Sequence, residues 1–299
     1  MPLEPHTAVG MSSSSSAMIL VVLILVSFLY MRGRRGARGA WVSAILTWPA
    51  ASFLLGLSLI WAALGSPLAA YDHDLLTVHM IQHLLLMTFA PALILLGKPL
   101  LAFWHGLPRF GQDMVGLLFQ LPLVQRFART VTRPALCWTV SALTLMAWHV
   151  PALFMLGMHS AVWHSVERAS FLLAGLFFWW PVVQAWPSNA MGPQWSTLLY
   201  LFLGTLPCDI LSGFLVFSDS VAYPVYLSMP RHFGFSVLED QQCAAALMWT
   251  CVTLVYLVPA AILSTRLLSP QGCYTSDLVQ SELRRNKAAD RNPRSLEAV

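Results

Sequence analysis

The sequence predicts an all-α, polytopic membrane protein: a bundle of seven transmembrane helices, N-terminus outside and C-terminus inside. Three observations carry this expectation. Of 299 residues, 57% are hydrophobic and 10% charged, against roughly 25% charged in a soluble domain. The mean hydropathy is +0.66. The apolar residues gather into seven stretches, and Lys and Arg concentrate in alternate connections between them. A soluble globule cannot hide so much apolar surface. A soluble enzyme, a secreted disulfide scaffold, a disordered chain and a DNA-binding module are thereby excluded.

The stretches are 17–31, 41–64, 75–97, 134–156, 163–186, 195–217 and 240–266. All but the first approach the ~20 residues a helix needs to cross ~30 Å of hydrocarbon. Barrel strands would be ~10 residues long and alternating. The first stretch is preceded by Ser12 to Ser16 and followed by Arg32, Arg34, Arg35 and Arg38. A signal peptide has its basic residues in front, so 17–31 reads as a retained helix. The connection after the third stretch carries Lys98, Arg109, Arg126, Arg129 and Arg133, and its segment Pro108 to Pro122 is expected to lie along the interface as a short amphipathic helix. The tail carries Arg284, Arg285, Lys287, Arg291 and Arg294, with one or two helical turns expected around Leu278 to Arg285. These basic segments alternate with poorly basic ones, which gives the stated orientation. The inner loop 187–194 has no charge and the outer loop 218–239 has Arg231. The resulting domains are an extracytoplasmic tail over 1–16, a membrane domain over 17–268 and a cytoplasmic tail over 269–299.

The same asymmetry accounts for the net charge of +4 without invoking nucleic acid. The five cysteines, Cys137, Cys208, Cys243, Cys251 and Cys273, form no CxxC pair and read as small hydrophobes. Trp41, Trp104, Trp163, Trp186 and Trp195 near span ends read as interfacial anchors in contact with membrane lipid.

Ionisable groups in a bilayer cost about 2.5–3.5 kcal/mol each on insertion scales, so their placement is informative. With this topology they fall in the outer half: His79 and His83 on the third helix, His149 on the fourth, His164, Glu167 and Arg168 on the fifth, Asp209 on the sixth, and Asp240 with Gln241 at the start of the seventh. Asp72, His73 and Asp74 precede the third helix, and His159 lies between the fourth and fifth. Scattered structural pairs would not choose one leaflet; a polar cavity near the outer surface would. His79 and His83 are four apart and share a helix face, which Met87 extends. Imidazole suits copper, zinc and iron, and thioether favours Cu(I). The alternative is that these histidines hydrogen-bond across helices and the Met stripe packs the core.

At these residues the sequence resembles the CtaG-like multi-spanning cytochrome c oxidase assembly proteins. The resemblance rests on His79-Met80-Ile81-Gln82-His83-Leu84-Leu85-Leu86, Ala90-Pro91, Leu96-Gly97-Lys98-Pro99, Trp148-His149-Val150-Pro151, Phe178-Trp179-Trp180-Pro181, Tyr223-Pro224, Asp240-Gln241-Gln242 and Met248-Trp249, in order from about 41 to 268. It implies a non-enzymatic factor of the cell (inner) membrane that matures a haem–copper oxidase of the respiratory chain by handling a copper ion. Its partners would be cytochrome c oxidase subunits and a copper donor protein. The implied transient site is His79, His83, His149 and His164, with Glu167 and Asp240 orienting ligands and Gln82 and Gln241 satisfying buried partners. Relatives commonly read His-x-x-x-His on the fifth helix, where this chain has Arg168, which cannot ligate a metal and would pair with Glu167 or bind an anion. Where a glycine pair is usual after Asp240, this chain has Ala244-Ala245-Ala246. The competing functions are a haem-binding electron carrier, a copper or solute transporter, and a scaffold that binds no metal.

Overall fold

The computed structural model describes residues 13–38, 47–183, 194–230 and 234–268. All regular elements among them are helical. The expected helical turns near Leu278, the inner loop 187–194 except Gln194, and the residues Trp41, Trp186, Arg231 and Cys273 lie outside the described residues.

Helix α1 spans Ser13–Arg38, longer than the apolar run itself. Its Tyr30 donates a 2.7 Å hydrogen bond to the Gly97 carbonyl, and Arg34 donates to Thr47 Oγ1 at 2.7 Å. Helix α2 spans Trp48–Leu64, with Pro49 in its first turn and Gly65 after its end. Helix α3 runs over Leu76–Leu96. It is α-helical to Leu84, widens to a π turn over Leu85–Phe89 and resumes at Ala90. The cause is Pro91, which has no N–H to offer the Met87 carbonyl and whose ring crowds it. Gly97 and Lys98 end α3. Lys98 takes a left-handed φ of 53°, and Pro99 starts the next helix.

Helix α4 spans Pro99–Gly106 and packs against α1. The amphipathic segment expected before Pro122 is present as α5, Arg109–Gln120, and Pro122 opens a second such helix, α6, Pro122–Val131. Neither has a buried residue. Leu123 and Phe127 share a face, 80% and 71% exposed, with Arg129 on the far side and Arg126 at the flank.

The single helix expected over 134–156 is two, α7 (Pro134–His149) and α8 (Pro151–His159), bent by 74°. Pro151 bars Val150 from helical geometry; Val150 sits at φ −66°, ψ 126°. Helices α9 (Ala161–Val183), α10 (Gln194–Val216) and α11 (Val237–Leu268) complete the chain. Among the described residues five helices, α1, α3, α9, α10 and α11, are long and apolar enough to cross a bilayer; the bent pair α7–α8 gives a sixth if it counts as one broken span, and α2 is apolar but has 17 residues.

Helix α3 stands in the middle, packed on α2, α9 and α11. One core joins α3 to α8, α9, α10 and α11 around Phe154, Phe178, Tyr223 and Met248. The other joins α1, α2 and α4 to α3 around Tyr30, Phe53, Leu86 and Phe171. The outward faces stay apolar, with Val21, Leu143, Phe202 and Ile210 between 62% and 70% exposed. Surfaces of this kind, repeated around the bundle, call for lipid rather than water.

Candidate metal centre

The helix period puts His79 and His83 on one face of α3, and both are buried, at 0% and 4% exposure. Their ring centroids are 4.4 Å apart. Helix α9 faces them with His164 and Glu167, again one turn apart and buried. Glu167 Oε1 lies 3.4 Å from His79 Nε2 and 3.3 Å from His83 Nε2. Its other oxygen lies 3.9 Å from His164 Nε2. Gly157 of α8 makes room for this carboxylate: a Cβ there would stand 2.9 Å from Glu167 Oε2.

Asp72, just before α3, completes the cluster. Its Oδ2 is 3.5 Å from His164 Nε2 and is paired with Arg168. Arg168 therefore takes Asp72, and not Glu167, as its salt-bridge partner. His73 stands at the rim, its ring centroid 5.0 Å from that of His164. Desolvation holds the His73 pKa below the ordinary imidazole value, against the opposing pull of Asp72.

Two ligand sets result, Asp72–His79–His164 and His79–His83–Glu167, each with its donor atoms within 4.8 Å of one another. Neighbouring ligand atoms around a tetrahedral ion with bonds of ~2.0–2.1 Å stand roughly 3.3 Å apart. The contacts at 3.3, 3.4 and 3.5 Å match that edge. Hydrogen-bond geometry is not met at either ring nitrogen of His79 or His83, at His164 Nε2 or at Glu167 Oε1, all buried, although each imidazole lies within ion-pair reach of a carboxylate. Buried polar atoms left this way are costly. A cation held among them removes that cost.

His149, at the end of α7, stands beside the cluster, its ring centroid 5.8 Å from that of His83. Its Nδ1 is 2.8 Å from the Leu145 carbonyl, and its Nε2 is 3.4 Å from Met80 Sδ. Residues of the connection between α10 and α11 cover the site. Tyr223 donates to the His149 carbonyl at 3.1 Å, and Tyr226 to the Asp72 carbonyl at 3.0 Å.

Asp240 and Gln241 act on the scaffold. Asp240 accepts from Leu76 N at 2.7 Å, Thr77 N at 3.1 Å and Thr77 Oγ1 at 2.6 Å, capping α3 from another helix. Gln241 accepts from Ala222 N at 2.7 Å and donates to Ser220 O at 3.2 Å, holding the α10–α11 connection. Gln82 is buried, and its amide makes no hydrogen bond among the described residues. His159 is exposed and bonds its own helix through the Met155 carbonyl. Asp209 lies on α10, half-buried, next to Cys208. Asp240→Ala is expected to cost about 1–2 kcal/mol in detergent unfolding, because it strips the first-turn amides of α3 of their acceptor.

The sequence places Asp72 only among the outer-side ionisable groups and Met80 only within a motif, and marks neither as a site residue. Asp72 lies among loop residues, where helical spacing says nothing. Met80 is one residue from His79 and so about 100° around the helix, off the face that the histidines define.

The sequence pattern described as "Cytochrome c oxidase caa3 assembly factor (Caa3_CtaG)" matches residues 28–269. Similar curated proteins include an uncharacterized protein of Mycobacterium bovis and one of Mycobacterium tuberculosis. Each is 23% identical over 258 residues, covering 84% of this chain and 38% of the relative. The chain thus spans well under half the length of these relatives. No solved structure matches it.

Proposed function

From the premise that this chain belongs to the cytochrome c oxidase caa3 assembly factor family, we propose that it serves oxidase maturation by holding and passing on a copper ion. The observation that carries the proposal is the buried set of His79, His83, His164, Glu167 and Asp72, with ligand atoms at metal-edge spacing and hydrogen-bonding capacity unspent. Copper is the cargo here. Imidazole is a good ligand for it, and Glu167 and Asp72 compensate its charge.

Delivery requires release, and Arg168 supplies a means. Its guanidinium stays charged and competes with the ion for Asp72. While Asp72 holds Arg168, the His164 end of the site is one ligand short. Transfer is then ligand exchange with an oxidase subunit, with no covalent bond made or broken in the protein. A copper donor protein would load the site from the same side.

The reading includes seven spans in the cell membrane, with α2 as the second and α7–α8 as the fourth. The histidine end of the bundle then faces outward. Reporter fusions after Arg38 and at Val299 should report cytoplasm, and one at Asp72 the outside.

The central test is metal analysis of the protein purified from copper-replete cells, wild type against His79→Ala/His83→Ala. Wild type should carry about one copper and the variant a small fraction of that, with the oxidase short of copper in cells bearing the variant. Equal and negligible copper in both proteins overturns the proposal in favour of a scaffold.

A further inference from the structure

We propose a second, softer site next to the carboxylate-bearing cluster: Met80 Sδ and His149 Nε2 together take a monovalent soft cation. The argument begins with a tautomer. A carbonyl oxygen only accepts, so the 2.8 Å contact between His149 Nδ1 and Leu145 O places the ring proton on Nδ1. In the neutral ring Nε2 then carries a bare lone pair. That lone pair meets the Met80 thioether at 3.4 Å, and the thioether has no proton either. Two acceptors face each other, in residues exposed by 6% and 0%.

Protonating the ring would supply a donor, but a buried imidazolium without a carboxylate partner is costly. A cation that prefers nitrogen and sulfur resolves the contact. With bonds of ~2.0 Å to nitrogen and ~2.3 Å to sulfur, a 3.4 Å separation subtends roughly 105° at the ion, near the tetrahedral angle. A thioether with an imidazole selects Cu(I) over the harder divalent ions.

The surroundings agree. His83 links the two sites: its Nε2 is 3.3 Å from Glu167 Oε1, its ring 5.8 Å from that of His149, and both its nitrogens are buried without hydrogen bonds. His83 and His149 also line a small cavity of about 40 Å³, whose other lining residues include Met87, Cys208 and Met248. The pair contains no carboxylate, while each of the two cluster sets contains one. The pair therefore discriminates by charge as well as by softness: a +1 ion suits it and a +2 ion suits the cluster. The ion enters already monovalent, and nothing is oxidised or reduced. The identification of the cation as copper rests on the function proposed above; the soft site itself does not.

Silver(I), which is redox-inert under these conditions, is the probe for the pair, and zinc(II) the probe for the cluster, both on the full chain in detergent. Silver absorption spectra of the wild type should show sulfur and nitrogen neighbours. Met80→Leu, close in volume and compatible with folding, should remove the sulfur and weaken silver binding at least tenfold while leaving zinc affinity unchanged. A wild-type spectrum without sulfur, or a Met80→Leu spectrum identical to wild type, overturns the pair. Loss of zinc binding in the wild type with silver still on sulfur would remove the cluster and keep the pair.

Discussion

Glu167→Gln is expected to lower the affinity of the cluster for zinc(II) or copper by about 100-fold or more, with the unliganded protein as stable as before. Glu167 lies within 3.4 Å of His79 and His83 and supplies the negative charge of one of the two ligand sets. Losing a supporting group beyond the ligands typically costs 10–100-fold in metal affinity, so losing the anionic ligand itself should exceed that range. The stability arm has the opposite logic. A carboxylate buried to 1% exposure with an unbonded oxygen is a burden on the empty protein. The amide keeps the shape and removes a buried charge whose desolvation is costly. Chelator-competition titration and thermal unfolding in detergent separate the two effects. Unchanged affinity with lowered stability would make Glu167 a structural residue and sink the centre.

Gly175→Ala is expected to destabilise the bundle by about 3 kcal/mol, at the upper end for overpacking. Helix α9 crosses α3 at the π turn, and a Cβ at position 175 would overlap the Met87 carbonyl and stand 2.6 Å from Pro91 Cγ. Backbone cannot yield as a side-chain tip does. That carbonyl is the one Pro91 leaves without its helical donor, so α9 lies against the weakest turn of α3. Displacement of α9 also carries His164 and Glu167 away from His79 and His83. Denaturant titration in mixed micelles measures the first effect and zinc affinity the second. A shift within 0.5 kcal/mol of wild type would show that the crossing is looser than it stands.

The helical class, the amphipathic segment and the pairing of His79 with His83 were all legible in the sequence, because each is a local regularity of composition or period. The break at Val150 was legible in principle, since Pro151 dictates it, yet apolar length alone joins α7 to α8. What could not be read is what depends on two distant elements meeting. Arg168 reaches for Asp72 because α9 passes the start of α3; the sequence alone offered Glu167 or an anion. Asp240, expected to orient a metal ligand, is consumed by the amides of Leu76 and Thr77, 164 and 163 residues away in sequence. Met80 acquires chemistry only because the bend leaves His149 at a helix end, facing α3.

The cap on α3 has a bearing on biogenesis. The chain emerges from the ribosome N-terminus first, so His79 and His83 are made long before Asp240, which secures the start of their helix. Until translation has passed that residue, the first turn of the histidine helix has no fixed acceptor and the α10–α11 connection has no Gln241 to hold it. On the proposed function, the nascent polypeptide would lack a finished site through most of its synthesis, and competence to capture an ion would arrive only with α11.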